Sequence, residues 1–286
     1  MRALTLALAL AALAPRARAE EVRRDAPAWL GPPAPASPRR VVSLAPSLTD
    51  TVAAMGLADR LVGVTRYDDA PEVAGLPRVG GFLDPSPEIV LGLRPDLVLW
   101  LTDGGALPAV RRIADLGVPV RALPVVGVAD AIAAARLVGE ALGAPEAGRR
   151  LGSSLAAAVE GARRRAAGLR RVRVLFVVGR EPLVVAGPGS YPDELLRLAG
   201  GANVAAGARP WPVFPLERAV ALDPELVVDA AVLEPAQGIS RLAAIPAVRR
   251  GAVRRLPNDD ALRPGPRLAR ALDDLLGALH PEAASR

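Results

Sequence analysis

The stretch SPEIVLGLRPDLVL, Ser86 to Leu99, is echoed far downstream by LERAVALDPELVV, Leu216 to Val228. In both, a Glu is followed seven positions later by a Pro, then by an acidic residue and a Leu-Val run. The two glutamates, Glu88 and Glu217, lie 129 residues apart, and the β-branched runs that begin near Val41 and Val172 lie 131 apart. A short helix, a proline-marked turn and a strand recurring in register at one offset constrain the chain to two α/β lobes of equivalent architecture. Each Glu then falls in the first turn of the equivalent helix of its own lobe.

The rest of the pattern agrees. RVVSLAP is a β-branched run ending in a turn, and SLTDTVAAMGL after it reads as a helix that Ser47 can cap, with Asp50 three residues on as an imperfect capping box. Short apolar strands follow at Leu61 to Thr65, Leu97 to Leu101 and Val118 to Leu123, alternating with helices at Pro87 to Leu93 and Pro108 to Leu116. Continuous apolar strands separated by helices indicate a mainly parallel sheet covered on both faces. After a helix at Asp130 to Leu142, Pro145 to Gly168 forms one Ala- and Arg-rich helix with no strand behind it. At about 1.5 Å per residue it is roughly 35 Å long, enough to run between two lobes. One uninterrupted crossing resists wide hinge bending. RVRVLFVVG then restarts the strand pattern, and PDELLRLAGGANV, LVVDAAV and a final helix at Arg267 to Leu279 rebuild a second lobe. The expected fold is α/β: two Rossmann-like lobes, each a mainly parallel sheet flanked by helices, joined by one long backbone helix.

The N-terminus stands apart. Arg2, the apolar run Ala3 to Ala14 and ARAE have the three regions of a secretory signal, so residues 1–19 read as a cleavable signal peptide and the chain as exported. The run is short of the about 20 residues that span a bilayer, so no membrane insertion is expected. Residues 20–38, rich in Pro, Ala and Arg, read as a disordered leader. The N-terminal lobe is expected at 39–144, the connecting helix at 145–168 and the C-terminal lobe at 169–286.

Cysteine is absent, which excludes disulfides, thiolate metal sites and cysteine nucleophiles. Arg2, Arg16 and Arg18 fall in the signal, lowering the formal charge from +6 to +3. The remaining arginines form no basic stripe interleaved with aromatics, so nucleic acid is not an expected partner. The segment GPGSYPDE, Gly187 to Glu194, lacks the spacing of a phosphate loop or a dinucleotide fingerprint. The single histidine, His280, lies at the C-terminal fringe and reads as a solvated helix-end cation. With no Cys, no nucleophile-elbow Ser and no central His, an enzyme is not expected. The chain has three Trp, two Tyr and three Phe, and Tyr67, Phe82, Trp100, Trp211 and Phe214 fall at strand ends or in inter-element loops. In open α/β sheets those ends form the ligand crevice. Flat rings suit a macrocycle, and the prolines of RPWPVFP would stiffen the loop that presents Trp211.

VVSLAPSLTD, LVGVTRYDDAPE, VGGF followed by PEIVLGLRPDLVL, PWPVFPLERAVALDPELVV and LPNDDALRPGPRLARAL together resemble the periplasmic cobalamin-binding proteins. These belong to the metal-chelate class of substrate-binding proteins that serve ATP-driven importers. The resemblance covers nearly the whole chain after Arg39. It implies a receptor that captures a corrinoid, cobalamin first, between its lobes and delivers it to a homodimeric ABC permease in the inner membrane. It also implies a monomer with no cofactor of its own. By that resemblance Tyr67, Phe82 and Trp211 match ring positions that contact the corrinoid, and Asp259 and Arg263 match polar positions near it. Trp100 is one residue out of register with a family Trp and reads equally as a buried strand residue. A contact aromatic of the family is replaced by Val184 or a neighbour. Glu88 and Glu217 match the glutamates that meet arginine pockets on the two permease subunits. Three alternatives stay open. They are haem, with Tyr67 as iron ligand and otherwise no metal site; an iron–siderophore complex facing Arg66 and Arg263; and a nucleotide-binding enzyme domain.

Overall fold

The computed structural model of the chain describes residues 25–207 and 209–284. The expected signal and its cleavage point after Ala19 lie outside the described residues. In the N-terminal half, β1 (Ala28–Leu30), β2 (Val41–Ser43), β3 (Leu61–Gly63), β4 (Leu97–Leu101) and β5 (Val120–Leu123) form one sheet in the order β1-β5-β4-β2-β3. The last four are parallel. The helices α1 (Pro46–Ala54), α2 (Pro87–Gly92), α3 (Leu107–Asp115) and α4 (Val128–Ala141) cover it. All five residues of β4 are buried, as expected of a central parallel strand enclosed on both faces.

Residues 25–38 correct the reading of that stretch as a disordered leader. Ala28 to Leu30 pair antiparallel with β5, and Trp29 stacks on Arg121 with the guanidinium carbon 5.0 Å from the ring centroid. Two large apolar side chains in AWL give the segment enough contact to add an edge strand despite its prolines.

The helix α5 (Pro145–Ala166) has 22 residues, about 33 Å at about 1.5 Å per residue. Its first half lies against α4 at close range. A methyl at Gly148 would stand 2.7 Å from the Ala135 carbonyl oxygen and 3.0 Å from Gly139 Cα, so only paired glycines let these backbones approach. Its second half, through Leu155, Val159 and Ala162, joins the core of the other lobe.

The second sheet comprises β6 (Val172–Arg180), β7 (Leu183–Val185), β8 (Gly201–Asn203), β9 (Leu226–Asp229) and β10 (Val253–Arg255). Its path is β10-β9-β6-β7, with β8 on the other end of β6. All pairs are parallel except β6 with β7. The helices α6 (Tyr191–Leu198), α7 (Leu216–Ala221), α8 (Pro246–Arg249) and α9 (Leu268–Leu279) enclose it, and α10 (Pro281–Ala284) closes the described chain. Glu88 and Glu217 both stand in the first turn of α2 and α7, the equivalent helices preceding β4 and β9.

Two local expectations are corrected. Ser47 does not cap α1: the N-cap is Ala45, Pro46 takes the first turn, and the Asp50 carboxylate instead accepts from Arg267 of the other lobe at 2.9 Å. His280 is buried as the C-cap of α9, with Nε2 2.8 Å from where a Cβ on Gly200 would lie, so it is a packed residue and not a solvated one. Among the described residues no helix is long and apolar enough to cross a membrane.

Candidate functional site: the strand ends that face between the lobes

In the N-terminal lobe the loop after β3 carries Tyr67, whose side chain is 53% exposed. Arg66 lies over its ring, with the guanidinium carbon 5.4 Å from the centroid. Phe82 is half-buried in the hairpin closed by the bridge between Gly80 and Pro85. A methyl at Gly104 would stand 3.0 Å from the Phe82 ring, so this aromatic ties the hairpin to the turn that follows β4. Leu83, next to it, is exposed.

In the C-terminal lobe the RPWPVFP segment hangs on β7 through hydrogen bonds from Val185 N to Pro212 O at 3.3 Å and from Phe214 N to Leu183 O at 2.8 Å. It therefore behaves as a strand with a period of two. Pro212 and Phe214 point inward, and Trp211 and Val213 point outward, Trp211 with 51% of its surface exposed. Leu233, after β9, is 91% exposed. These side chains give both lobes apolar surface at the carboxyl-end loops.

Two expected ligand residues are not available. Phe214 is 3% exposed, packed among Leu175, Val185 and Val227, with Arg218 over its ring at 5.1 Å. Its place in the alternation turns it to the core. Trp100 is 1% exposed and fills the core with Val42, Val98 and Val110, because β4 is covered on both faces.

Asp259 and Arg263 fall beside Tyr67 but face each other. Arg263 donates from Nε to Asp259 Oδ2 at 2.7 Å and from Nη1 across the lobes to Asp69 Oδ1 at 2.9 Å, and Nη2 reaches the Tyr67 carbonyl at 3.5 Å. Arg267 continues the seam, with Nη2 at 2.8 Å from Asp69 Oδ1. Arg270 closes it on the fully buried Asp260, with Nη2 at 2.9 Å from Oδ1. Burial pushes the Asp69 carboxyl up, but the Arg267 hydrogen bond and the charges of Arg263 and Arg267 outweigh it and leave it below its ordinary value. Burial prevails at Asp50, which is raised despite Arg267. This inter-lobe seam is absent from the sequence reading. Its signal is Arg263, Arg267 and Arg270, running from the turn before α9 into its first turn, with Asp68 and Asp69 directly after Tyr67.

Tyr67 and Arg263 are thus brought together, Phe82 lies on the same strand-end edge as Tyr67, and Trp211 is carried separately by the other lobe. Glu88 and Glu217 are exposed. Glu88 lies 3.2 Å from Arg112. The GPGSYPDE turn holds no open anion cradle: the Asp193 carboxylate takes the Gly189 N–H at 3.3 Å and the Asn203 amide at 2.8 Å. Among the described residues no group of three or more His, Asp or Glu is placed to hold a metal ion.

Residues 41–259 match the family described as "Periplasmic binding protein". The chain belongs to that family. It is a family of substrate-binding proteins, not of enzymes. A vitamin B12-binding protein of Salmonella paratyphi A is 29% identical over 259 residues, covering 88% of this chain and 92% of the relative. The periplasmic haem-binding protein RhuT from Roseiflexus sp. RS-1 superposes with a TM-score of 0.77 at 30% identity, over 86% of this chain and 99% of that one. The periplasmic vitamin B12-binding protein BtuF of Vibrio cholerae gives 0.75 at 24% identity over 87% and 99%, which speaks for the fold. The two-lobe α/β architecture of the sequence expectation is the fold that these structural likenesses support.

Proposed function

We propose that the protein is a periplasmic receptor that binds a corrinoid, cobalamin first, between its two lobes and hands it to an ABC importer in the inner membrane. The observation that carries this reading is the apolar surface split between the lobes: Tyr67, Phe82 and Leu83 on one, Trp211, Val213 and Leu233 on the other. A broad, flat ligand held from both sides would use both sets. The B12-binding relatives support the corrinoid assignment.

The test is a titration. Cyanocobalamin absorbs where Trp emits, so it should quench Trp emission stoichiometrically. Trp211→Ala should weaken binding by about 1 to 3 kcal/mol, the contribution of an aromatic side chain whose remaining apolar surface the ligand buries at about 25 cal/mol per Å². Calorimetry that detects haemin but no corrinoid would overturn the assignment in favour of haem, with the exposed Tyr67 hydroxyl as the iron ligand.

Glu88 and Glu217 are proposed as the docking residues for a homodimeric permease. A helix dipole alone accounts for one Glu in a first turn, at about 0.3 to 1 kcal/mol. Two exposed carboxylates at equivalent positions, one per lobe, make an approximately twofold pair that matches a twofold partner, and charge pairs of this kind set register and encounter rate. Reversing both to Arg is expected to leave cyanocobalamin affinity and Tm near the parent values. The same change should abolish the stimulation of importer ATP hydrolysis in reconstituted vesicles. Undiminished transport by the double variant would refute the assignment.

A further inference from the structure

The geometry points to Asp84 as a specificity-determining residue: it occupies Arg66, the guanidinium beside ligand-facing Tyr67, and thereby disfavours ligands whose rim carries carboxylates. This rests on the reading above that Tyr67 faces the ligand.

Arg66 would otherwise be well placed to greet an anion. It lies three residues after β3, its backbone N–H is fixed to the Gly80 carbonyl at 2.8 Å, and its side chain lies along the Tyr67 ring. Both carboxylate oxygens of Asp84 take its Nη2, at 2.5 and 2.6 Å. The hairpin is shaped to deliver that carboxylate. Gly80 has φ +112, a conformation open to glycine, and a Cβ there would meet Pro85 Cα at 2.9 Å. A Cβ on Gly81 would stand 2.6 Å from Arg66 Nη2, so two consecutive glycines clear the space in which Asp84 and Arg66 meet. The Arg66 hydrogen bond, with those from the backbone N–H groups of Gly81 and Asp84, outweighs desolvation and holds the Asp84 carboxyl below its ordinary value. The pair is fully charged at neutral pH.

Arg263 on the facing loop is satisfied in the same way, by Asp69 and Asp259. A ligand carboxylate therefore meets, at each arginine, an internal carboxylate that already neutralises the charge and holds part of the guanidinium, and it gains less from either than from a free cation. A macrocycle bordered by neutral amides meets no such competition. Haemin, with two propionates, and cyanocobalamin, bordered by amides, are the two probes that separate these classes.

The experiment measures Kd for both probes with the parent, Asp84→Asn and Asp84→Asn/Arg66→Gln. The ratio of haemin to cyanocobalamin affinity is expected to rise about tenfold in Asp84→Asn, the scale of one freed charge-assisted hydrogen bond. That gain should shrink with added salt and disappear in the double variant. A ratio that stays at the parent value, or a gain that survives loss of Arg66, overturns the proposal. A repacked hairpin would change both affinities without this dependence on Arg66. If the parent binds no corrinoid, the functional assignment fails separately, and the Asp84 test is still read from haemin affinity alone.

Discussion

Asp229→Ala is expected to destabilise the fold by about 3 to 5 kcal/mol, the cost of leaving a buried charge without its partner. Arg180 ends β6 and Asp229 ends the adjacent β9, and their side chains are 0% and 2% exposed. The guanidinium donates from Nη2 to Asp229 Oδ2 at 2.7 Å and from Nη1 to the Pro235 carbonyl at 2.8 Å, while the Arg180 backbone N–H reaches Glu234 at 3.0 Å. One side chain thus pins the loop that presents Leu233. Removing Asp229 leaves the cation enclosed, with neutral carbonyls and the more distant Glu234 for company. Urea denaturation measures the loss, and a change below about 1 kcal/mol would contradict the account. Replacing both partners by Arg180→Met and Asp229→Leu should cost far less than the single change, because no charge then remains to be solvated.

The second large effect lies behind the lobes. Gly148→Ala adds one methyl to α5, and every atom it would meet is backbone: the Ala135 carbonyl oxygen at 2.7 Å, Gly139 Cα at 3.0 Å and Arg136 Cα at 3.2 Å. No side-chain rotation relieves that, so α4 and α5 must separate, at about 1 to 3 kcal/mol. Gly161→Ala on the same helix has nothing within 4 Å and should stabilise by about 0.5 to 1 kcal/mol through helix propensity. Thermal melts of the two variants should move in opposite directions. A shift of the same sign in both would show that helix contact is not what distinguishes the two positions.

The duplicated frame made the architecture legible, because a period that alternates between strand and helix survives any detail of packing. The connecting helix was legible for the same reason, its start at Pro145 included. Tyr67, Phe82 and Trp211 were legible as loop aromatics. Phe214 was not, because its orientation depends on the parity of a segment that becomes a strand only through bonds to β7, and nothing in RPWPVFP announces that pairing. Trp100 reads equally in the sequence as a ligand residue and as a buried strand residue, and the enclosure of β4 on both faces decides for the second. The edge strand at Ala28 to Leu30 was hidden by flanking prolines. The seam of Asp50, Asp69, Arg263 and Arg267 joins residues 194 to 217 positions apart, a range at which charges carry no periodicity to read.

That separation has a consequence for the order in which the molecule comes into being. Asp50 and Asp69 precede their cationic partners by 194 to 217 positions, so they emerge well before them. Domains fold as units, the N-terminal one first. The first lobe therefore completes its sheet with two carboxylates waiting at its rim, and they stay uncompensated until the segment from Asp259 to Arg270 arrives. That segment does more than add to the second lobe. It also ties the second lobe to the first, so the first lobe's half of the site is in place before the two lobes are joined at this seam.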